Sequence, residues 1–304
     1  MNINKYTICN SPIEKRAFQN QEIYIKRDDL LNTNFSGNKA RKFYYYLMQD
    51  FPNIKKVVSY GSNQSNAMYS ISVLAKIKGW EFEYYTNHIS SYLKDNPNGN
   101  YKYALKNGMR LIIGNENPKR EDIENSYTAY IEEGGRVQEA KVGIKILAQE
   151  IKLWQQANRI NNLNIFLPSG TGTTALFLQK ALLEMDSRFQ SKVYTVPCVG
   201  DSSYLKLQFK QLEDNLLKHP NIIKPKKKYH FGKLYREFYD IWLELNNDLD
   251  IEFDLLYDPL GWLTLMENQQ IFKNPTLYIH QGGLIGNESM LERYNFKYKI
   301  ATNK

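Results

Sequence analysis

Short runs rich in β-branched and aromatic residues alternate along this chain with longer stretches of helical spacing. That alternation predicts βαβ units and a largely parallel sheet, hence an α/β fold. Ile23 to Lys26 reads as a strand, and Lys39 to Phe51 has helical spacing. Lys56 to Tyr60 is a strand ending at Gly61. Asn66 to Lys78 is a helix rich in Ala, Ile and Leu, closed by Gly79 in the position where glycine ends helices. Strands follow at Glu81 to Tyr85 and Met109 to Ile113, with a helix on either side of the second, up to Glu133-Gly134-Gly135. A long helix spans about Gly143 to Ala157, a strand Leu163 to Leu167, a helix Ala175 to Met185 and a strand Val193 to Pro197. Leu255 to Leu265 reads as mixed strand and loop, and Thr276 to His280 as the last strand. No repeat, low-complexity tract or linker breaks the pattern, so two domains would interweave rather than follow in series.

The 304 residues suffice for one large or two modest domains, and 42% hydrophobic content excludes a disordered or fibrous chain. No stretch approaches the ~20 apolar residues that span a bilayer, and Met1 to Asn20 lacks a signal-peptide-like apolar run. The chain is therefore expected in the cytoplasm, without a membrane partner. Cys9 and Cys198 form no CxxC pair, so neither a disulfide framework nor a zinc site is expected, and no metal is assigned. The net charge of +8 comes mostly from scattered lysines. The one dense run, Lys224 to Lys228, reads as a solvated loop, and no aromatic–basic motif accompanies it, so no nucleic-acid partner is expected.

Four segments carry candidate chemistry. Lys26-Arg27-Asp28-Asp29-Leu30 precedes Ser36-Gly37-Asn38-Lys39-Ala40-Arg41-Lys42. A lysine that condenses with a carbonyl needs a neutral amine, obtained by burial or by nearby cations such as Arg41 and Lys42. Gly61-Ser62-Asn63-Gln64-Ser65-Asn66 and Ser169-Gly170-Thr171-Gly172-Thr173-Thr174 both link a strand to a helix, at the sheet edge where open α/β folds bind ligands. The second has no Walker lysine, but its glycines and threonines suit a phosphate at a helix N-terminus. His280-Gln281-Gly282-Gly283 closes the last strand. Each has a bland alternative: a lysine at a helix start is usually solvated, a Ser-Asn turn usually caps its helix, and a lone histidine usually serves packing.

In combination and in order, KRDDL, SGNKARK, GSNQSN, EEGG, SGTGTT, DP and HQGG resemble the 1-aminocyclopropane-1-carboxylate (ACC) deaminase and D-cysteine desulfhydrase family. That family is a branch of the tryptophan synthase β-like, fold-type-II pyridoxal 5'-phosphate (PLP) enzymes. The similarity runs from about Ser11 to Gly286, with KRDD and GNKxRK as its most specific pieces. The resemblance implies two open, twisted parallel-sheet domains with the cofactor between them. Residues 1–42 and 143–304 would form the larger, PLP-binding domain, and residues 43–142 a smaller domain inserted in it. It also implies that Lys39 is the Schiff-base lysine, that Asn66 bonds the cofactor's phenolic oxygen, and that Gly170, Thr171, Gly172, Thr173 and Thr174 hold its phosphate. Gln281 would lie near the pyridine nitrogen. Ser65 would be a catalytic and substrate-binding residue, with Gln64 and Trp262 also on the substrate.

Three positions depart from the family pattern. Ala67 replaces an amide or imidazole, Gly261 replaces the tyrosine of DP-x-Tyr unless the neighbouring Trp262 substitutes for it, and Gln281 replaces a common threonine. The implied activity is a PLP-dependent lyase or deaminase acting on a small amino acid, D-cysteine- or ACC-like, giving a 2-oxo acid and ammonia, in a homodimer. The alternative is a PLP-binding homologue with lost or altered activity, in regulation, β-replacement or racemisation.

Overall fold

The computed structural model describes residues 8, 10–35, 37–114, 116–185 and 188–299; Cys9 and Ser36 lie outside the described residues. The first half of the chain runs β1 (Ile13–Phe18), β2 (Gln21–Arg27), α1 (Gly37–Met48), β3 (Lys56–Tyr60), α2 (Asn66–Lys78), β4 (Glu81–Thr86), α3 (Ser91–Asp95), α4 (Gly99–Lys106), β5 (Met109–Ile113), α5 (Arg120–Ile123) and β6 (Thr128–Tyr130). The second half runs α6 (Ala140–Ala157), β7 (Asn162–Ser169), α7 (Thr173–Leu183), β8 (Gln190–Pro197), α8 (Ser202–Lys210), β9 (Asn221–Ile222), α9 (Arg236–Leu249), α10 (Asp258–Met266), β10 (Thr276–His280) and α11 (Gly286–Tyr298).

Two sheets result. One has the order β1-β2-β10-β7-β8-β9 and the other β5-β4-β3-β6. Every pairing is parallel except β1 with β2, as the βαβ alternation predicts. All four strands of the smaller sheet fall between residues 56 and 130. An apolar core continues from that sheet through α1, α2, α6 and α7 to the larger one. A second core, with Phe18, Phe166, Trp242, Leu260, Trp262 and Tyr278, fills the larger sheet's other face under α9 and α10. No described helix is long and apolar enough to cross a membrane.

Most strands and the ends of α2 match the sequence expectation. Gly79 has φ of 71°, the left-handed conformation that ends a helix most cheaply on glycine. The segment from Leu255 to Leu265 differs: from Asp258 it is the helix α10, with Pro259 in its first turn. The helix is apolar nearly all round because it is buried nearly all round, so it carries no amphipathic period to read. After β5 a four-residue α5 and the strand β6 stand where one longer helix is expected. Strand β1 and helices α8, α9 and α11 were not foreseen. The β1–β2 turn uses Gln19 and Asn20 at positive φ in place of the usual glycine signal.

The placement of α1 rests on a buried charge network. Arg41 donates to both carboxylate oxygens of Asp28, at 3.0 and 2.7 Å, and to both of Glu150, at 2.9 and 2.8 Å. Lys26 reaches Glu150 at 2.6 Å, and Ser11 Oγ donates to Asp28 at 2.6 Å. The Arg41 side chain is fully shielded from solvent. Burial alone would raise the Asp28 pKa, but the Arg41 guanidinium outweighs it and holds the carboxyl below its ordinary range. α6 crosses close to α1 because Gly143 has no side chain; a Cβ there would lie 2.1 Å from the Arg41 carbonyl oxygen. The network ties α1 to β2 and α6 and so sets the direction in which the other face of α1 points.

Removing one partner from such a network strands the remaining charges without solvent. Arg41→Leu is expected to lower the unfolding free energy by about 3–5 kcal/mol. Denaturant titration checks this, and a loss below about 1 kcal/mol would place the network outside the stability of the fold.

Candidate active site

Three strand-to-helix junctions meet at one cavity: 61–65 between β3 and α2, 170–172 between β7 and α7, and 281–285 between β10 and α11. The N-terminus of α1 closes a further side. These are the carboxyl ends of parallel strands, where backbone N–H groups and helix N-termini face outward. The cavity has a volume of about 360 Å³, within the range of small-molecule sites.

Lys39 and Lys42 both line it, while Arg41 points the opposite way into its carboxylates. Lys39 Nζ donates to Asn38 Oδ1 at 3.2 Å. Burial pushes its pKa down to about 8, against the opposing charge of Asp254. Of the two causes the sequence offers, burial and nearby cations, burial produces this shift. Lys42, too, is held well below the usual lysine range, by burial and then by the charge of Lys39. Lys42 Nζ donates to the Gly134 carbonyl at 2.9 Å and has no acidic partner among the described residues.

The glycine–threonine loop faces these amines across the cavity. Gly172 has φ of 72°, and a Cβ on it would lie 2.4 Å from Phe209, so only glycine fits. No side chain caps α7. Thr171 and Thr173 hydroxyls are 3.0 Å apart, and Thr174 Oγ1 is buried with no partner. Gly134, from the EEGG segment, packs against Thr171, bringing the Lys42-bound carbonyl alongside the loop.

The polar residues from β3–α2 divide. Ser65 Oγ accepts from Ala67 and Met68 N–H, so it caps α2, yet it also lines the cavity. Gln64 lines the cavity too, but its amide is used up elsewhere, donating to Asn98 Oδ1 at 2.9 Å and accepting from Tyr101 N–H. Its side chain therefore braces α4 and is not free for substrate. Asn66 accepts from Asn100 at 2.6 Å and donates to Asp254 Oδ2 at 3.5 Å. Gln281 lines the cavity with its amide clamped between Pro168 O, at 2.7 Å, and Asn38, at 2.8 Å.

Trp262 does not reach the cavity. It is fully buried and stacked on Tyr278 with ring centroids 4.6 Å apart, because its turn of α10 faces the second core. Nor could a tyrosine occupy position 261 without rebuilding this contact: a Cβ on Gly261 would lie 2.8 Å from the Tyr278 hydroxyl. The aromatic wall is supplied by Tyr257, immediately before Asp258-Pro259, which lines the cavity beside Gly170. His280 is a packing residue: it is buried, its ring bonds Glu252 O at 2.7 Å, and burial lowers its pKa.

Asp254 was missed. It carries no motif, and its place on the cavity wall follows only from the turn into α10. Burial pushes its pKa up to about 6, against the N–H groups of Tyr257 and Leu256, Asn66 and the charge of Lys39. Glu133, also on the wall, is raised by burial as well.

No family model and no curated protein matches the sequence. Solved structures do. An ACC deaminase homologue is 19% identical, with 94% of each chain covered and a TM-score of 0.76. O-acetylserine sulfhydrylase isoform 3 from Entamoeba histolytica is 12% identical, covering 100% of this chain and 93% of that one, with a TM-score of 0.67. A pyridoxal 5'-phosphate-dependent aspartate racemase is 13% identical, covering 90% of both chains, with a TM-score of 0.60. The chain thus has the tryptophan synthase β-like α/β fold.

Lys39 is expected to react with an amine-selective reagent with a midpoint near pH 8, against 10.5 for an ordinary lysine. Because folding holds this amine neutral, protonation opposes folding, and stability falls as pH drops from 10.5 through 8. Peptide-resolved labelling checks the midpoint, and a value near that of surface lysines would contradict the burial.

Proposed function

We propose that the cavity binds PLP, and that the protein is a PLP-dependent lyase or deaminase of a small amino acid, D-cysteine- or ACC-like, releasing a 2-oxo acid and ammonia. One observation carries the reading. A buried amine with a pKa near neutrality shares a cavity with an uncapped helix N-terminus, an orphaned threonine hydroxyl and a second lysine without an acid. An aldehyde bearing a phosphate satisfies all four. The structural neighbours support it, one of them being described as PLP-dependent.

Lys39 is the amine that would hold the aldehyde carbon. The α7 N-terminus, Thr171, Thr173, Thr174 and Lys42 would hold the phosphate: N–H groups and hydroxyls donate to it, and Lys42, whose pKa burial lowers, would be drawn back toward its charged form by the phosphate. Asn66 and Gln281 lie on the walls where the ring would rest, each already fixed by neighbours and so unable to swing away. When bound, PLP supplies an electron sink for the bond broken at the substrate Cα.

The chain's own groups do the rest. Ser65 accepts two N–H donors at its oxygen and has the Tyr84 hydroxyl as a neighbour; its O–H would turn from Tyr84 to donate to a substrate carboxylate. Lys39 Nζ, with its pKa pushed down to about 8, keeps a neutral fraction near physiological pH and would take the proton from Cα. Tyr257 and the Gly170 loop shield that proton from water.

Addition of PLP is expected to produce a visible absorption band that Lys39→Ala removes. Thr174→Val, losing one hydrogen bond to a charged group, is expected to weaken PLP binding about 10–100-fold while keeping the band. A wild-type protein that stays colourless with added PLP would end the proposal. D-cysteine, β-chloro-D-alanine and ACC form the substrate panel, with 2-oxo acid release as the readout. An intact band with no release from any of them would remove the lyase reaction and leave the cofactor site.

A further inference from the structure

The cavity holds a buried carboxylate that the reading above does not use. Asp254 is 3% exposed. Its Oδ1 is saturated, accepting from Leu256 N–H at 2.8 Å and Tyr257 N–H at 2.6 Å. Its Oδ2 has only the 3.5 Å bond from Asn66 and lies on the cavity wall. Space around that oxygen is kept bare by glycines. A Cβ on Gly283 would lie 2.8 Å from it, and one on Gly286 would lie 4.0 Å away. The carboxyl is held rigidly: the Asp254 N–H donates to Asp258 Oδ2 at 3.0 Å, and Asp258 in turn accepts from Tyr278 at 2.6 Å. An acid placed so, with one oxygen locked and the other open beside a buried amine, is arranged to exchange a proton rather than to stabilise the fold.

We propose that Asp254 is the second acid–base group of the site, taking at Oδ2 the proton that a substrate's α-ammonium must lose before its nitrogen can act as a nucleophile. This rests on the PLP reading above. One N–H bond of the substrate breaks and one O–H bond forms on Asp254; the substrate is left a neutral amine with its lone pair free, and the carboxyl becomes neutral. Burial suits the exchange, because it makes the charged carboxylate willing to accept a proton near pH 6. Lys39, unlike Asp254, must be kept for the Cα proton, so two groups divide two protons.

The groups that interact electrostatically with Asp254 come from several elements. They are Lys39 on α1, Asp258 and Tyr257 at the start of α10, Tyr278 on β10, and Cys198 after β8. Of these, Lys39 alone is a cation. Burial raises the other four above their ordinary ranges, and the charge of Asp254 adds to the rise. Lys39 is therefore the group whose titration reports on Asp254.

Asp254→Asn keeps the acceptor for the Leu256 and Tyr257 N–H groups and removes only the proton exchange. Two readouts test it. In the cofactor-free protein, Lys39 labelling should move to lower pH by about one unit, because the carboxylate no longer favours its charged form. In the PLP-loaded protein, the acidic limb of kcat/KM near pH 6 should vanish, the plateau should fall at least tenfold, and Asp254→Glu should restore part of it. In the wild type, a 13C-carboxyl titration near pH 6 gives the same information should the Asn variant not fold. An unmoved Lys39 midpoint, an acidic limb that survives the substitution, or a wild-type carboxyl titrating near 4 would each overturn the assignment. Failure of wild-type protein to take up PLP would sink the cofactor reading instead, and the cofactor-free titration would still decide whether Asp254 and Lys39 are coupled.

Discussion

The Arg41 guanidinium, buried among Asp28, Glu150 and the ammonium of Lys26, is the interaction on which the site depends. A helix offers one face to the core and another to whatever lies opposite, and residues three apart share a face. By committing Arg41 to the carboxylates of the β2–α6 side, the network turns Lys39 and Lys42, three residues apart, to the cavity. The cost of burying four charges is offset because each carboxylate oxygen and each guanidinium edge has a partner. The KRDD and GNKxRK segments therefore work as a unit. Lys26, Asp28 and Arg41 belong to the network, whereas Lys39 and Lys42 line the cavity.

Electrostatics in the cavity follows from that rotation. Burial drives both amines on the cavity wall toward the neutral form. The nearby carboxylate, Asp254, is itself driven toward neutrality, so it moderates Lys39 without pinning it as an ion pair. Opposite lies a helix end with no side-chain cap and a hydroxyl without a partner. Lys39, Lys42 and the N-terminus of α7 thus line one cavity.

The parts of this arrangement that repeat in sequence were legible. Parallel strands with intervening helices fixed the α/β class, and the ends of β3, β7 and β10 located the junctions that meet at the cavity. Lys39, Asn66 and the Gly170–Thr174 loop, singled out by the motifs that carry the family resemblance, all line that cavity. Other residues left no such trace. Asp254 and Tyr257 reach the wall through an irregular turn before α10, a helix buried on all sides and so without a period. Lys42 looked like one more cation beside Arg41, since sequence does not say which face of α1 each lysine takes. Trp262 and Gln64 misled for the converse reason. Their positions beside motif residues suggested contact with substrate, whereas helix rotation sends Trp262 into the core and hydrogen bonds tie the amide of Gln64, on the cavity wall, to α4.

The central claim is that Lys39, and not the more deeply buried Lys42, is the amine poised to condense with an aldehyde. Borohydride reduction of the protein mixed with PLP, followed by peptide mass spectrometry, tests this directly. The account predicts one phosphopyridoxyl group per chain on the peptide bearing Lys39. Label on Lys42, or spread over surface lysines with none on Lys39, would contradict it.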